Sequence, residues 1–217
     1  MNPRVTKGTF LNALACPTFV WFQRHASPAA LSPGAELRIL EGKEIGELAR
    51  RTFPGGVLVD DRDLQVAAER TRALMMDPNV TVIFEATFIA EPFVTRADVL
   101  LRDKDAWTLV EVKSSRDNES DIEDHHVSDL AYTAMILRFA GITPARIELM
   151  RISREWRGGE SEPFIRCECM ASVTERTEKF AELSKQIAYL IQSQEKPEGK
   201  LTMACKGCEF FSSQCVG

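Results

Sequence analysis

The chain has 217 residues, 44% of them hydrophobic and 27% charged, with a formal net charge of -5. That is a soluble globular composition, large enough for one sizeable core without covalent staples, and poor in the Gly and Pro of a disordered chain. No apolar run approaches the ~18 residues that cross a bilayer, the start lacks the apolar stretch of a secretory signal, and an acidic surface leaves nucleic-acid affinity to a local patch. We therefore expect a cytoplasmic protein with reduced thiols and no membrane partner.

Residues 1–35 carry Phe10, Leu11, Leu14, Phe19, Trp21 and Phe22 at helical spacing, interrupted by Pro17, which reads as a pair of helices. Leu37, Leu40, Ile45 and Leu48 predict a helix over 35–53, stopped by Pro54-Gly55-Gly56. A short strand at 57–59 and a helix at 63–76 follow. The β-branched and aromatic residues of 80–90, 96–101 and 107–114 predict three strands. Val127, Leu130, Ala131, Ala134 and Leu137 line a helix over about 124–140, with Gly141 as its cap. A strand at 145–152, another at 164–173 and a helix at 174–193, capped by Thr174, complete the order. The expectation is a mixed α/β domain spanning 1–217, a central sheet flanked by helices.

Three ionisable residues stand in strands where apolar ones are expected: Asp98, Glu111 and Lys113. Side chains alternate along a strand, so Glu111 and Lys113 share a face and Val110 and Val112 take the other. A hairpin turning at Asp103–Ala106 pairs Leu101 with Thr108, which sets Asp98 opposite Glu111. Carboxylates facing across a ladder repel. A solvated sheet face tolerates them, and so does a bound Mg²⁺ or Mn²⁺, beside which Lys113 is placed to orient a water.

The six cysteines are unevenly spread: Cys16 is early, Cys167 and Cys169 alternate on one strand, and Cys205-Lys-Gly-Cys208 is followed by Cys215. Cys167 and Cys169 read as small apolar residues. The C-terminal three match the tight spacing by which thiolates hold zinc or iron–sulfur, and need one more ligand. Adjacent His125 and His126 open the 124–140 helix and read as a helix-start or surface pair, since neighbours on a helix diverge.

Asp98…Glu111-Val-Lys113, with the α-β-β-β-α-β order of 35–152, resembles the PD-(D/E)XK nuclease superfamily. Cys16-Pro17-Thr-Phe-Val-Trp21 and Cys205-x2-Cys208-x6-Cys215 are similar to the RecB-like exonucleases with an iron–sulfur staple, including CRISPR-associated ones. The resemblance implies a restriction-endonuclease-like core over 35–152 and a [4Fe–4S] cluster on Cys16, Cys205, Cys208 and Cys215, joining the helical segments 1–30 and 174–217. It implies a metal-dependent exonuclease acting on DNA, single-stranded by expectation, with Asp98, Glu111 and Lys113 catalytic. The family's His in G-x3-H is replaced by Gly46, so Glu47 (or Glu44) is the expected third metal carboxylate. The family's Gln-x3-Tyr helix has no Gln here: Thr133 stands near its place, beside Tyr132. Tyr132, Arg96 and Glu85 are the candidate substrate contacts. A catalytically weakened iron–sulfur nucleic-acid-binding module and a zinc interaction domain built on the C-terminal cysteines are the alternatives. The chain also reads as one that could be part of a longer protein.

Overall fold

Local chemistry sets the helix starts. In the computed structural model, which describes residues 4–25, 32–116, 123–159, 161–211 and 214–215, three helices open the chain: α1 (Lys7–Ala15), α2 (Pro17–His25) and α3 (Pro33–Arg51). The Thr6 side chain caps α1. Pro17 starts α2 at the position where a missing N–H costs nothing, which leaves Cys16 as an extended link between the two helices. Ser32 caps α3, and Asp63 caps α4 (Leu64–Met76) through the Gln65 and Val66 N–H groups.

Six strands, β1 (Val57–Leu58), β2 (Val82–Ala90), β3 (Phe93–Asp103), β4 (Ala106–Arg116), β5 (Arg146–Ile152) and β6 (Phe164–Glu168), form one sheet in chain order. It is mixed: β1 and β2, and β4 and β5, are parallel, and the other pairs antiparallel. This is an α/β fold. α5 (Asp124–Phe139) crosses over between the parallel β4 and β5, and α6 (Met170–Gln192) packs beside it.

The sheet has two unequal faces. The larger core gathers Phe10 of α1, Ala67 of α4, Leu130 and Met135 of α5 and Val173 and Phe180 of α6 against Ile83, Ala97, Leu109 and Leu149. α5 is buried from Val127 to Leu137 except at Ser128 and Asp129, which are half-buried, because it is sandwiched between the sheet and other helices. The smaller core lies under the C-terminal half of α3, where Ala49 meets Phe84, Val99, Val110 and Met150. The N-terminal half of α3 runs past the sheet, so Leu37 and Leu40 of the predicted apolar stripe are exposed while Ile45 and Leu48 pack.

Two boundaries differ most from the sequence reading. β3 begins at Phe93, extended by pairing with β2 down to Ala90. The last strand ends at Glu168 where its pairing with β5 ends, so Cys169 stands at the start of α6 and Thr174 lies inside the helix. Cys169 is buried, its thiol donates to the Ile147 carbonyl, and burial pushes its pKa up to about 12, which makes it an inert core residue. Among the described residues no helix is long and apolar enough to cross a membrane.

Candidate active site at a fork in the sheet

β3 and β4 part company at one end. Their ladder runs from Asp103↔Ala106 to Val99↔Val110 and stops. Past that point β3 stays with β2, and β4 stays with β5 as far as Lys113 and then, across a register shift, at Arg116. The side chain of Asp98 takes over where the ladder ends, accepting the Val112 N–H through Oδ2 at 2.8 Å. A cleft of about 260 Å³ opens at this fork, lined by Glu85, Asp98, Glu111, Lys113 and the α3 residues Gly42, Gly46 and Arg50.

The pleat also reverses here. Ile83 faces the larger core and Phe84 the smaller, yet Ala86 and Phe88 face the larger again. On β3, Ala97 and Leu100 face the larger core and Val99 the smaller. The pairs Phe84↔Val99 and Ala86↔Ala97 flank the reversal, with no pair between Glu85 and Asp98. Glu85 absorbs it with φ +55°, a left-handed conformation that costs a non-glycine residue about 1–2 kcal/mol. Glu85, Asp98 and Glu111 thus stand at one level on three neighbouring strands.

Glu111 is 2% exposed and its Oε1 is clamped by two ammonium groups, Lys7 Nζ at 2.7 Å and Lys113 Nζ at 3.0 Å. Its Oε2 is buried with no hydrogen-bond partner among the described residues. Lys113 also pairs with Asp129 of α5. Burial alone would push the Glu111 carboxyl up, but Lys7 and Lys113 hold it well below the usual carboxylate range. Asp98 goes the other way: burial, then the Glu111 charge, push it up, against the opposing pull of Lys7. Glu85 is raised as well, first by burial. Lys113 stays high despite burial because Glu111 and Asp129 favour its charged form.

The remaining expected residues lie elsewhere. Glu47 is exposed: α3 turns 42, 45, 46, 49 and 50 to the cleft, and the helical phase carries 47 away from it. Glu44 is exposed too. Glu85 supplies the third carboxylate of the cleft instead. Tyr132 is fully buried, and its hydroxyl lies against two carbonyl oxygens, Val5 at 2.6 Å and Val94 at 3.1 Å, which does not suit a substrate contact. Arg96 donates to the Val59 and Asp61 carbonyls and braces the loop before α4. Gly42 and Gly46 line the cleft, and an added Cβ at Gly42 would meet nothing within 4 Å. Their missing side chains keep the cleft mouth open. Lys7, Asp129 and Arg50 were missed by sequence reasoning.

Chemically, the buried Glu111 with one unpartnered oxygen, the half-buried Asp98 and an adjacent lysine fit a hard divalent cation that keeps several waters. The cleft carboxylates do not close on a point; among the described residues the group whose ligand atoms all lie within 4.8 Å of one another is Glu123, His125 and His126, at the start of α5. The first helical turn thus brings adjacent histidines together after all, their rings 4.0 Å apart.

The chain ends meet. Phe210 stacks on Phe22 at 5.2 Å and lies 5.5 Å from Phe19, and Thr18 Oγ1 lies 3.3 Å from the Pro197 and Glu198 carbonyls. Cys16, Cys205, Cys208 and Cys215 are free and half-buried. Cys16 Sγ accepts the Phe19 N–H and Cys205 Sγ the Thr202 N–H, both at 3.4 Å, and Gly199 leaves room for Cys215 Sγ. N–H donors are thus aimed at two of the four sulfurs.

Fold and cleft together define an α/β chain with a carboxylate–lysine site at a split in its sheet. No family model and no curated protein matches the sequence. Among solved structures, that of SSO0001 is similar with a TM-score of 0.38 and 14% identity, over 97% of this chain and 84% of the other. An alkaline exonuclease (LHK-Exo) from Laribacter hongkongensis is similar with a TM-score of 0.32 and 14% identity, over 86% of this chain and 91% of the other.

Proposed function

We propose that this chain is a metal-dependent deoxyribonuclease of the RecB-like type, acting as an exonuclease on single-stranded DNA in the cytoplasm. The observation that carries the reading is the buried Glu111 carboxylate, one oxygen held by two lysines and the other without a partner among the described residues, beside the half-buried Asp98 in an open cleft. Asp98 and Glu111, with Glu85 beside them, would hold Mg²⁺ or Mn²⁺. A bound divalent ion supplies Lewis-acid polarisation of a phosphodiester and a nucleophilic water. Lys113, its proton retained on Nζ by Glu111 and Asp129, donates hydrogen bonds that fix the attacking oxygen or a phosphate oxygen. Arg50 gives the cleft mouth a positive charge for the backbone.

The four cysteines Cys16, Cys205, Cys208 and Cys215 would hold the [4Fe–4S] cluster as a structural tie between the packed chain ends. Brown colour and thiolate-to-iron absorption near ~400 nm separate this from zinc.

A second reading, a weakened nucleic-acid-binding module, is favoured by Thr133. It is fully buried and bonded to Thr95 and the Asp129 carbonyl, so nothing reaches the cleft from the place where the family carries Gln. End-labelled single- and double-stranded DNA incubated with Mn²⁺, Mg²⁺ or EDTA decides. Mn²⁺-dependent shortening of single strands that Lys113→Ala abolishes supports the nuclease; binding without shortening supports the module.

A further inference from the structure

Lys7 reaches the acid row from a frame that does not depend on it. Val5 bridges to β3, its N–H donating to the Pro92 carbonyl and its own carbonyl accepting from the Val94 N–H. Phe10 is fully buried between Phe93, Tyr132 and Phe180. Between these anchors the Thr6-capped start of α1 sets the Lys7 ammonium 2.7 Å from Glu111 Oε1. Its field reaches Asp98 and Asp129 as well.

We propose that Lys7 is a resident cation of the acid row and a positioning residue for Glu111, one that sets the divalent-metal threshold of the site. The inference rests on the metal-site reading above. Glu85, Asp98, Glu111 and Asp129 gather here against Lys113, Arg50 and Lys7, so removing Lys7 takes away one of the two ammonium partners of the buried Glu111 carboxylate. With Lys7 in place the metal-free protein tolerates its buried Glu111, and both ammoniums stay on Oε1 so that Oε2 remains available. An arriving divalent ion is repelled by the same fixed charge. The chain therefore trades metal affinity for stability of the metal-free state.

Mn²⁺ affinity, read from the loss of the free-Mn²⁺ electron paramagnetic resonance signal, and melting in EDTA test this without any nuclease assay. Glu123→Gln/His125→Ala is the background, which removes the competing group at α5, and Asp98→Asn identifies binding at the cleft. Lys7→Met should bind Mn²⁺ about tenfold more tightly, the scale of one charge beside a divalent ion under water-like screening. It should melt lower in EDTA and gain more from Mn²⁺. Lys7→Arg should behave as the parent. Lys7→Gln, which keeps a hydrogen bond without the charge, should follow Lys7→Met and serves if that variant folds poorly. Unchanged affinity and unchanged melting in both neutral variants would overturn the proposal, and so would weaker Mn²⁺ binding. An Asp98-dependent, Lys7-sensitive Mn²⁺ site in a protein that leaves DNA intact sinks the nuclease reading and keeps Lys7. Mn²⁺-dependent cleavage with no Lys7 effect does the reverse. No Mn²⁺ binding in parent or variants overturns both.

Discussion

Lys7 and Cys16 stand at the two ends of one helix: Lys7 is the first residue of the nine-residue α1 and Cys16 its C-terminal cap. The acid row and the cysteine region are therefore joined by a single rigid element. Yet α1 is also held midway by Phe10, fully buried among three aromatic rings. Cys16→Ser should accordingly act on the chain ends rather than on the cleft. In anaerobically purified protein we expect loss of iron and a lower melting temperature, because a tie between residues far apart in sequence restricts the unfolded chain by about several kcal/mol, by analogy with a disulfide. Cleavage per folded molecule should change less than twofold. Iron content, melting and activity normalised to folded protein check this; full iron retention in the variant would remove Cys16 from the ligand set.

Tyr132→Phe should lower stability by about 1–3 kcal/mol. The hydroxyl bonds to the Val5 and Val94 carbonyls in a fully buried position, and its removal leaves buried acceptors short of a donor. Urea unfolding measures the loss. Activity at saturating metal should be retained, because the hydroxyl lies in the core.

How much of this was legible beforehand depends on the range of the interaction. The register of β3 and β4 was readable because alternation and a tight turn fix it locally, and Leu101 does face Thr108. The row of acids follows from that register. Glu85 was visible as a charge within a strand, but its left-handed φ was not, since nothing in the local sequence announces that a glutamate will take it. Lys7 was illegible for another reason: its partner is 104 residues away and the pairing depends on how α1 docks. Glu47 was misplaced because a helix shows a different face every 100°, and phase cannot be set before the packed stripe is known. Tyr132 carried no sign that its hydroxyl would be spent on the backbone of Val5.

Two glycines should respond oppositely to alanine. At Gly56 a Cβ would lie 2.2 Å from the ring of Phe84, which is itself buried in the smaller core, so Gly56→Ala forces that ring off its packing. Overpacking of this kind costs about 1–3 kcal/mol. At Gly42 a Cβ meets nothing within 4 Å and the residue lies inside α3, so Gly42→Ala should stabilise by about 0.5–1 kcal/mol through helix propensity alone. Thermal melts of the two variants in EDTA separate the effects by sign.

The last expectation concerns pH. Burial and the neighbouring Glu111 charge push Asp98 up to about 8, from an ordinary value of 3.8 in the unfolded chain. An acid whose pKa is raised by folding binds its proton more tightly in the folded state. Its contribution to stability is full below the unfolded value and is lost as pH rises through the folded one. Glu111, held low by its two lysines, contributes oppositely, and that contribution disappears only in acid, as pH falls through its own folded value. Between about pH 4 and 8 the metal-free protein should therefore lose stability on account of Asp98. Asp98→Asn cannot ionise and should flatten this decline, melting above the wild type at pH 8 in EDTA. In the Glu123→Gln/His125→Ala background, Mn²⁺ should flatten it as well when Asp98 is present, by favouring the ionised carboxylate, and should change the slope far less in Asp98→Asn. Melting curves across that range, with EDTA and with Mn²⁺, measure both slopes. A decline of equal steepness in wild type and Asp98→Asn would show that the proton lost is not the one on Asp98.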